Sequence, residues 1–146
     1  GKPTCIINIG IQGSGKSFFT NNLTNLCNTF NVLSNDILNS KSKLQTQFKK
    51  LVNNKANIII DNTNPCFETR KYYVDILNTN DYFILYIWFD LPLDVSLYLN
   101  SYRTQILDTH ITMVAYNVYK KKFNTPSLEE HIDEIITINK VYGLRE

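Results

Sequence analysis

The run Gly10-Ile11-Gln12-Gly13-Ser14-Gly15-Lys16-Ser17 limits what this chain can fold into more than any other stretch. It reads G-x-x-x-x-G-K-[ST], follows the apolar segment Cys5-Ile6-Ile7-Asn8-Ile9, and opens into a helical pattern at Phe18-Phe19-Thr20. A strand before and a helix after is the context in which that spacing makes a phosphate-binding loop. Its glycines let backbone N–H groups curl around a polyphosphate with no Cβ in the way. The helix N-terminus adds unpaired N–H groups and the positive end of its dipole. Gly10, Gln12, Gly13, Ser14, Gly15, Lys16 and Ser17 are thus expected to cradle ATP phosphates. Within the cradle, Lys16 reaches the β/γ-phosphates and the Ser17 hydroxyl ligates Mg²⁺.

With 146 residues, the chain has the length of one domain, expected to span 1–146. A hydrophobic content of 43% is enough for an ordinary core. The net charge of +2 produces no global basic field, so any nucleic-acid contact must come from local patches. Cys5, Cys27 and Cys66 form no C-x-x-C pair and read as free thiols of a reducing, intracellular compartment. No apolar run approaches the roughly 18 residues of a membrane span, and Ile6 to Ile9 is too short for a signal-peptide core. The start at Gly1-Lys2-Pro3, with Met113 the only methionine, gives the expectation of an excerpt from a longer protein.

Hydrophobic periodicity places strands at Thr4–Ile9, Phe30–Ser34, Ala56–Ile60, Tyr82–Phe89 and Ile135–Ile138. Between them lie helical patterns: Lys16 to about Cys27, a segment after Asp36, one after Pro65, one after Asp94, and one from about Ile111. Asn64 and Thr125 are read as N-caps, each with proline at the first helical position. The polar stretch Arg103 to His110 reads as a lid. The fold class expected is α/β: a P-loop kinase fold, a parallel sheet of about five strands with helices on both faces and a small helical lid.

In such sheets ligands bind beyond the carboxyl ends of the strands. Gly10, Asp36, Asp61 and Asp90 all follow strands, so carboxylates gather near the phosphate loop. Phosphoryl transfer needs a base for the attacking hydroxyl, and Asp36, on a strand away from the phosphate loop, is the better candidate. Asp61 suits a water-mediated Mg²⁺ contact or the orientation of substrate, and the sequence leaves both open. Arg103 is the natural lid cation for developing charge, and Asp90 reads as a turn or cap. A GTPase would need N-K-x-D and D-x-x-G signatures, neither of which occurs, and a small kinase fits the length.

At these residues the chain resembles the kinase domain of the polynucleotide 5′-hydroxyl kinase family. The resemblance runs through Gly10 to Ser17, Val32-Leu33-Ser34-Asn35-Asp36, Asp61-Asn62-Thr63-Asn64-Pro65 with Arg70 beyond it, Phe89-Asp90-Leu91-Pro92 and Asn100 to Arg103. It continues through Tyr119-Lys120-Lys121-Lys122-Phe123-Asn124-Thr125-Pro126-Ser127-Leu128-Glu129-Glu130, similar to the C-terminal motif of the animal-type enzymes. It implies ATP-dependent, Mg²⁺-assisted phosphorylation of a 5′-hydroxyl end of DNA or RNA, with Asp36 as general base and Lys16 and Arg103 stabilising the transferring phosphoryl group. Asn35 and Asn39 stand where family members carry arginines, so acceptor contacts are expected from Asp36, Asp61 and Arg70, or from Lys41, Lys43 and the Lys120 run. The family's partner 3′-phosphatase begins D-x-D-G-T, which this chain lacks, so that module would be fused outside the chain or separate. The rival readings are a P-loop kinase for a small metabolite or nucleoside, and a nucleotide-dependent binding module without transfer chemistry.

Overall fold

The computed structural model describes residues 1–11, 16–90 and 113–139, with only the backbone described for Ser17, Phe18, Asp36, Ile37, Met113 and Ala115. The expected loop residues Gln12, Gly13, Ser14 and Gly15, the helix after Asp94, and the lid with Arg103 lie outside the described residues, as do the side chains of Ser17 and Asp36. Five strands form one sheet: β1 (Thr4–Ile9), β2 (Phe30–Leu33), β3 (Asn57–Ile60), β4 (Phe83–Phe89) and β5 (Glu134–Ile138). Their order is β2-β3-β1-β4-β5, and every pairing is parallel. Parallel neighbours need crossovers, and the chain supplies helices: α1 (Lys16–Leu26), α2 (Asn35–Leu38), α3 (Lys41–Asn53), α4 (Phe67–Thr79) and α5 (Met113–Lys122).

Strand alternation divides the core in two. Cys5, Ile7 and Ile9 of β1, with Ile58, Ile60, Ile84 and Tyr86, meet Leu44, Phe48 and Val52 of α3 and Tyr73, Val74 and Leu77 of α4. On the opposite face Ile6, Ile59, Ile87 and Phe89 meet Phe19 and Leu23 of α1. Helices therefore cover both faces, and the near-continuous apolar runs of β1, β3 and β4 follow from that double burial. Among the described residues, no helix is long and apolar enough to cross a membrane.

Local details depart from the sequence expectation at three places. The segment after Asp36 is two helices, broken at Asn39, whose φ of 58° leaves the helical region before Ser40 caps α3 by accepting from the Lys43 N–H. Asn64 is not a helix cap: α4 begins after Cys66, and Asn64 adopts a left-handed φ of 44°. Thr125 is not a cap either. Ser127 caps a 3₁₀ turn, Leu128–Glu130, in a reciprocal capping box with Glu130.

Candidate functional site

The exits of β1, β2 and β3 are bound to one another by the loop that follows β3. Asp61 donates its N–H to the Leu33 carbonyl at the end of β2, at 2.8 Å. Asn62 Oδ1 accepts from the Asn35 N–H, the first residue of α2, at 2.8 Å. The Thr63 carbonyl accepts from the Gly10 N–H, where the expected phosphate loop begins, at 3.1 Å. Asn64 Nδ2 donates to the Asn8 carbonyl at 2.7 Å, inside the protein. The block Asp61 to Asn64 thus holds Gly10, at the exit of β1, on one side and the α2 backbone with Asp36 on the other. The left-handed turn at Asn64 aims its amide back at β1, and asparagine tolerates that region better than other residues with a Cβ.

Asp61 lies one step beyond the Ile7–Ile60 pairing, level with Asn8. That parity puts both on the face covered by α1. Asn8 Nδ2 donates to Thr20 Oγ1 of α1 at 2.9 Å and to Asp61 Oδ1 at 3.3 Å. A wholly buried asparagine inside an isoleucine strand is costly unless its amide is used. Here it orients the Asp61 carboxylate beside α1. Lys16, the first residue of α1, is buried and donates from Nζ to the Ile11 carbonyl at 3.1 Å. The side chain is thereby folded back over the start of the loop.

Arg70 requires a correction. Expected to meet the acceptor, it is fully buried. Its five N–H donors are committed internally: Nε to Glu130 Oε1 at 3.0 Å, Nη1 to the Asn64 and Pro65 carbonyls at 3.0 and 3.2 Å, and Nη2 to the Asn124 carbonyl and Glu130 Oε2 at 2.9 and 3.2 Å. No donor remains for a phosphate. Tyr86 donates its hydroxyl to Glu130 Oε1 at 2.8 Å, and burial, followed by that bond to the carboxylate, pushes the phenol's pKa well up. The Ser127 N–H donates to Glu130 Oε2 at 3.0 Å. The cluster joins the loop after β3 to the segment 124–130. Replacing Arg70 by alanine should destabilise the fold by about 3–5 kcal/mol, since it leaves a buried carboxylate and three carbonyls without their partner. Urea unfolding measures this, and lysine, with its point charge in place of a planar fork, should restore little.

The expected lysines sort by exposure. Lys41, Lys43, Lys120, Lys121 and Lys122 are exposed, the last three closing α5. Asp90 donates its N–H to the Ile138 carbonyl at 2.9 Å and stands at the rim of a cavity beyond β4. Sequence reasoning gave no role at the site to Asn8, Thr20, Asn62 or Glu130, and read Asn64 only as a helix cap. The signal for the first was present, as a lone amide within Cys5-Ile6-Ile7-Asn8-Ile9.

No family model matches the chain. It is 32% identical over 141 residues to a protein of Acanthamoeba polyphaga mimivirus provisionally named a bifunctional polynucleotide phosphatase/kinase, a match covering 94% of this chain and 33% of the relative. It is 26% identical over 126 residues to the bifunctional polynucleotide phosphatase/kinase of Schizosaccharomyces pombe, covering 86% of this chain and 31% of the relative. The chain therefore spans about a third of the length of these curated relatives. The fold is similar to that of a fungal RNA kinase, with a TM-score of 0.73 at 18% identity, covering 99% of this chain and 79% of that one. What the two share is the fold, a parallel sheet with helices on both faces.

Proposed function

We propose that this chain, whose sequence relatives are the polynucleotide phosphatase/kinases, is a kinase unit that moves the γ-phosphate of ATP to the 5′-hydroxyl end of a nucleic acid. The observation that carries the reading is the D-N-T-N-P block. It ties the phosphate loop, through the Gly10 N–H, to the Asp36-bearing helix, through the Asn35 N–H, so donor and acceptor elements share one rigid edge. A protein that only bound ATP would have no need to hold a strand-end carboxylate at fixed distance from the cradle.

In this reading the loop's N–H groups and Lys16 hold and neutralise the donor phosphates. Asp36 accepts the proton that the 5′-hydroxyl loses as it attacks, and Arg103 from the lid segment offsets charge on the transferring group. Ser17 and Asp61 would hold Mg²⁺, with Asp61 acting through water. One hydroxyl and one carboxylate suit a cation that keeps most of its ligands as water and substrate phosphate. No group of three or more His, Cys, Asp or Glu that could cage a metal occurs among the described residues. The ion, when bound, neutralises charge shared between the β- and γ-phosphates. Asn8, hydrogen-bonded to Asp61, fixes where that carboxylate points.

The lid assignment has its own test. Arg103→Ala should lower kcat by about 10²-fold with ATP affinity almost unchanged, and Arg103→Lys should recover little of it. A rise in KM for ATP with kcat intact would make Arg103 a binding residue instead. The reading as a whole is tested by offering labelled ATP with a 5′-hydroxyl oligonucleotide, with free nucleosides and with neither. A 3′-phosphatase acting on the same ends would lie outside this chain.

A further inference from the structure

Beyond the carboxyl end of β4 lies a cavity of about 230 Å³ lined by Ile11, Trp88, Phe89, Asp90, Tyr119, Lys120 and Phe123. We propose that it receives the terminal nucleobase of the acceptor strand, an inference that rests on the kinase reading above. Four of these residues are aromatic: Trp88, Phe89, Tyr119 and Phe123. Trp88 and Phe123 are stacked, with centroids 5.8 Å apart and planes 27° apart, and Tyr119 lies 5.6 Å from Phe123. Pockets for a whole drug-sized ligand run to about 300–1,000 Å³, so this one takes a single planar ring system rather than a nucleotide. Its neighbours fit a base: Asp90 presents a carboxylate that can accept from an exocyclic amino group. Its location fits the reaction, because Ile11 forms one wall and also offers its carbonyl to Lys16 Nζ.

The charge pattern favours the acceptor over the adenine of ATP. Lys120 lines the cavity, and Lys121 and Lys122 follow it, all exposed. A base seated against Trp88 on a strand leaves further phosphates trailing away, and Lys120 at the cavity wall, with Lys121 and Lys122 following it at the end of α5, supplies positive charge for them. Stacking platforms beside a cationic track are how single strands are held without sequence preference. A donor adenine has no phosphates beyond its own three, and those belong to the glycine-rich loop.

Trp88 is the only tryptophan of the chain, so its fluorescence reports the cavity directly in the unaltered protein. A 5′-hydroxyl hexanucleotide should quench it saturably. The same hexanucleotide with an abasic 5′-terminal residue should bind about tenfold more weakly or worse, and ADP alone should leave the emission unchanged. Lys120→Glu should weaken the hexanucleotide several-fold. Equal binding of the intact and abasic strands overturns the assignment, as does saturable quenching by ADP, which would make the cavity the donor's. Phosphorylation of the same hexanucleotide is followed in parallel. Phosphorylation without any change at Trp88 overturns the cavity's role and leaves the kinase reading standing. Base-dependent quenching without phosphorylation supports the cavity and removes the kinase reading.

Discussion

Lys16→Ala should reduce phosphoryl transfer to background, a loss of at least about 10³-fold, at the upper end of what removing one preorganised donor costs. The cradle's other contributors are backbone N–H groups, which can solvate phosphate oxygens but carry no full charge. Lys16 brings a full positive charge from a buried position at the first residue of α1, where a low dielectric magnifies it. Its Nζ is bonded to the Ile11 carbonyl. Alanine at that position keeps a strong helix former, so the fold should survive with α1 intact. Single-turnover transfer and thermal unfolding, measured side by side, separate the two effects. Turnover within tenfold of the unaltered protein, with the fold intact, would remove Lys16 from the mechanism.

Asp36→Asn should slow transfer by about 10²-fold or more while leaving ATP binding and folding as they are. A 5′-hydroxyl is a weak nucleophile that sheds its proton as it attacks, and an amide of the same shape cannot take that proton. Asp36 is the second residue of α2, whose first N–H is held by Asn62 Oδ1, so the helix is anchored to the loop carrying Asp61. Asp61→Asn should behave differently. Asn8 Nδ2 would face an amide in place of a carboxylate, and the loss should appear as an altered dependence on Mg²⁺ concentration or on acceptor concentration. Near-normal transfer by Asp36→Asn, with Asp61→Asn severely impaired, would move the base to Asp61.

Much of this architecture can be read along the chain, because its signals are local. The strand-loop-helix context of Gly10 to Ser17, the unbroken apolar run into Phe89 and the carboxylates at strand ends each depend on a few adjacent residues. The five parallel strands follow from them. What stayed hidden depends on partners far apart in sequence. Arg70 looks like a cation available for phosphate until Glu130, 60 residues away, and the Asn124 carbonyl are found to consume its donors. Asn64 before Pro65 looks like a helix cap, yet its amide is drawn to Asn8, 56 residues earlier, and α4 starts later with Cys66 in its place. Asn39 breaks an amphipathic pattern that hydrophobic spacing alone carries straight through. In each case a tertiary hydrogen bond or one backbone dihedral outweighed a local preference of about 1 kcal/mol.

On the proposed reading, the loop after β3 couples an ATP cradle to a catalytic carboxylate serving a nucleic-acid end. Transfer of labelled phosphate from ATP tests it most directly, with a 5′-hydroxyl oligonucleotide and a panel of free nucleosides offered at equal concentration to the same protein. Label should appear on the oligonucleotide's 5′ end and not on the nucleosides, and should be lost in Asp36→Asn. Label on a nucleoside in preference to the oligonucleotide, or undiminished labelling by Asp36→Asn, would contradict that reading.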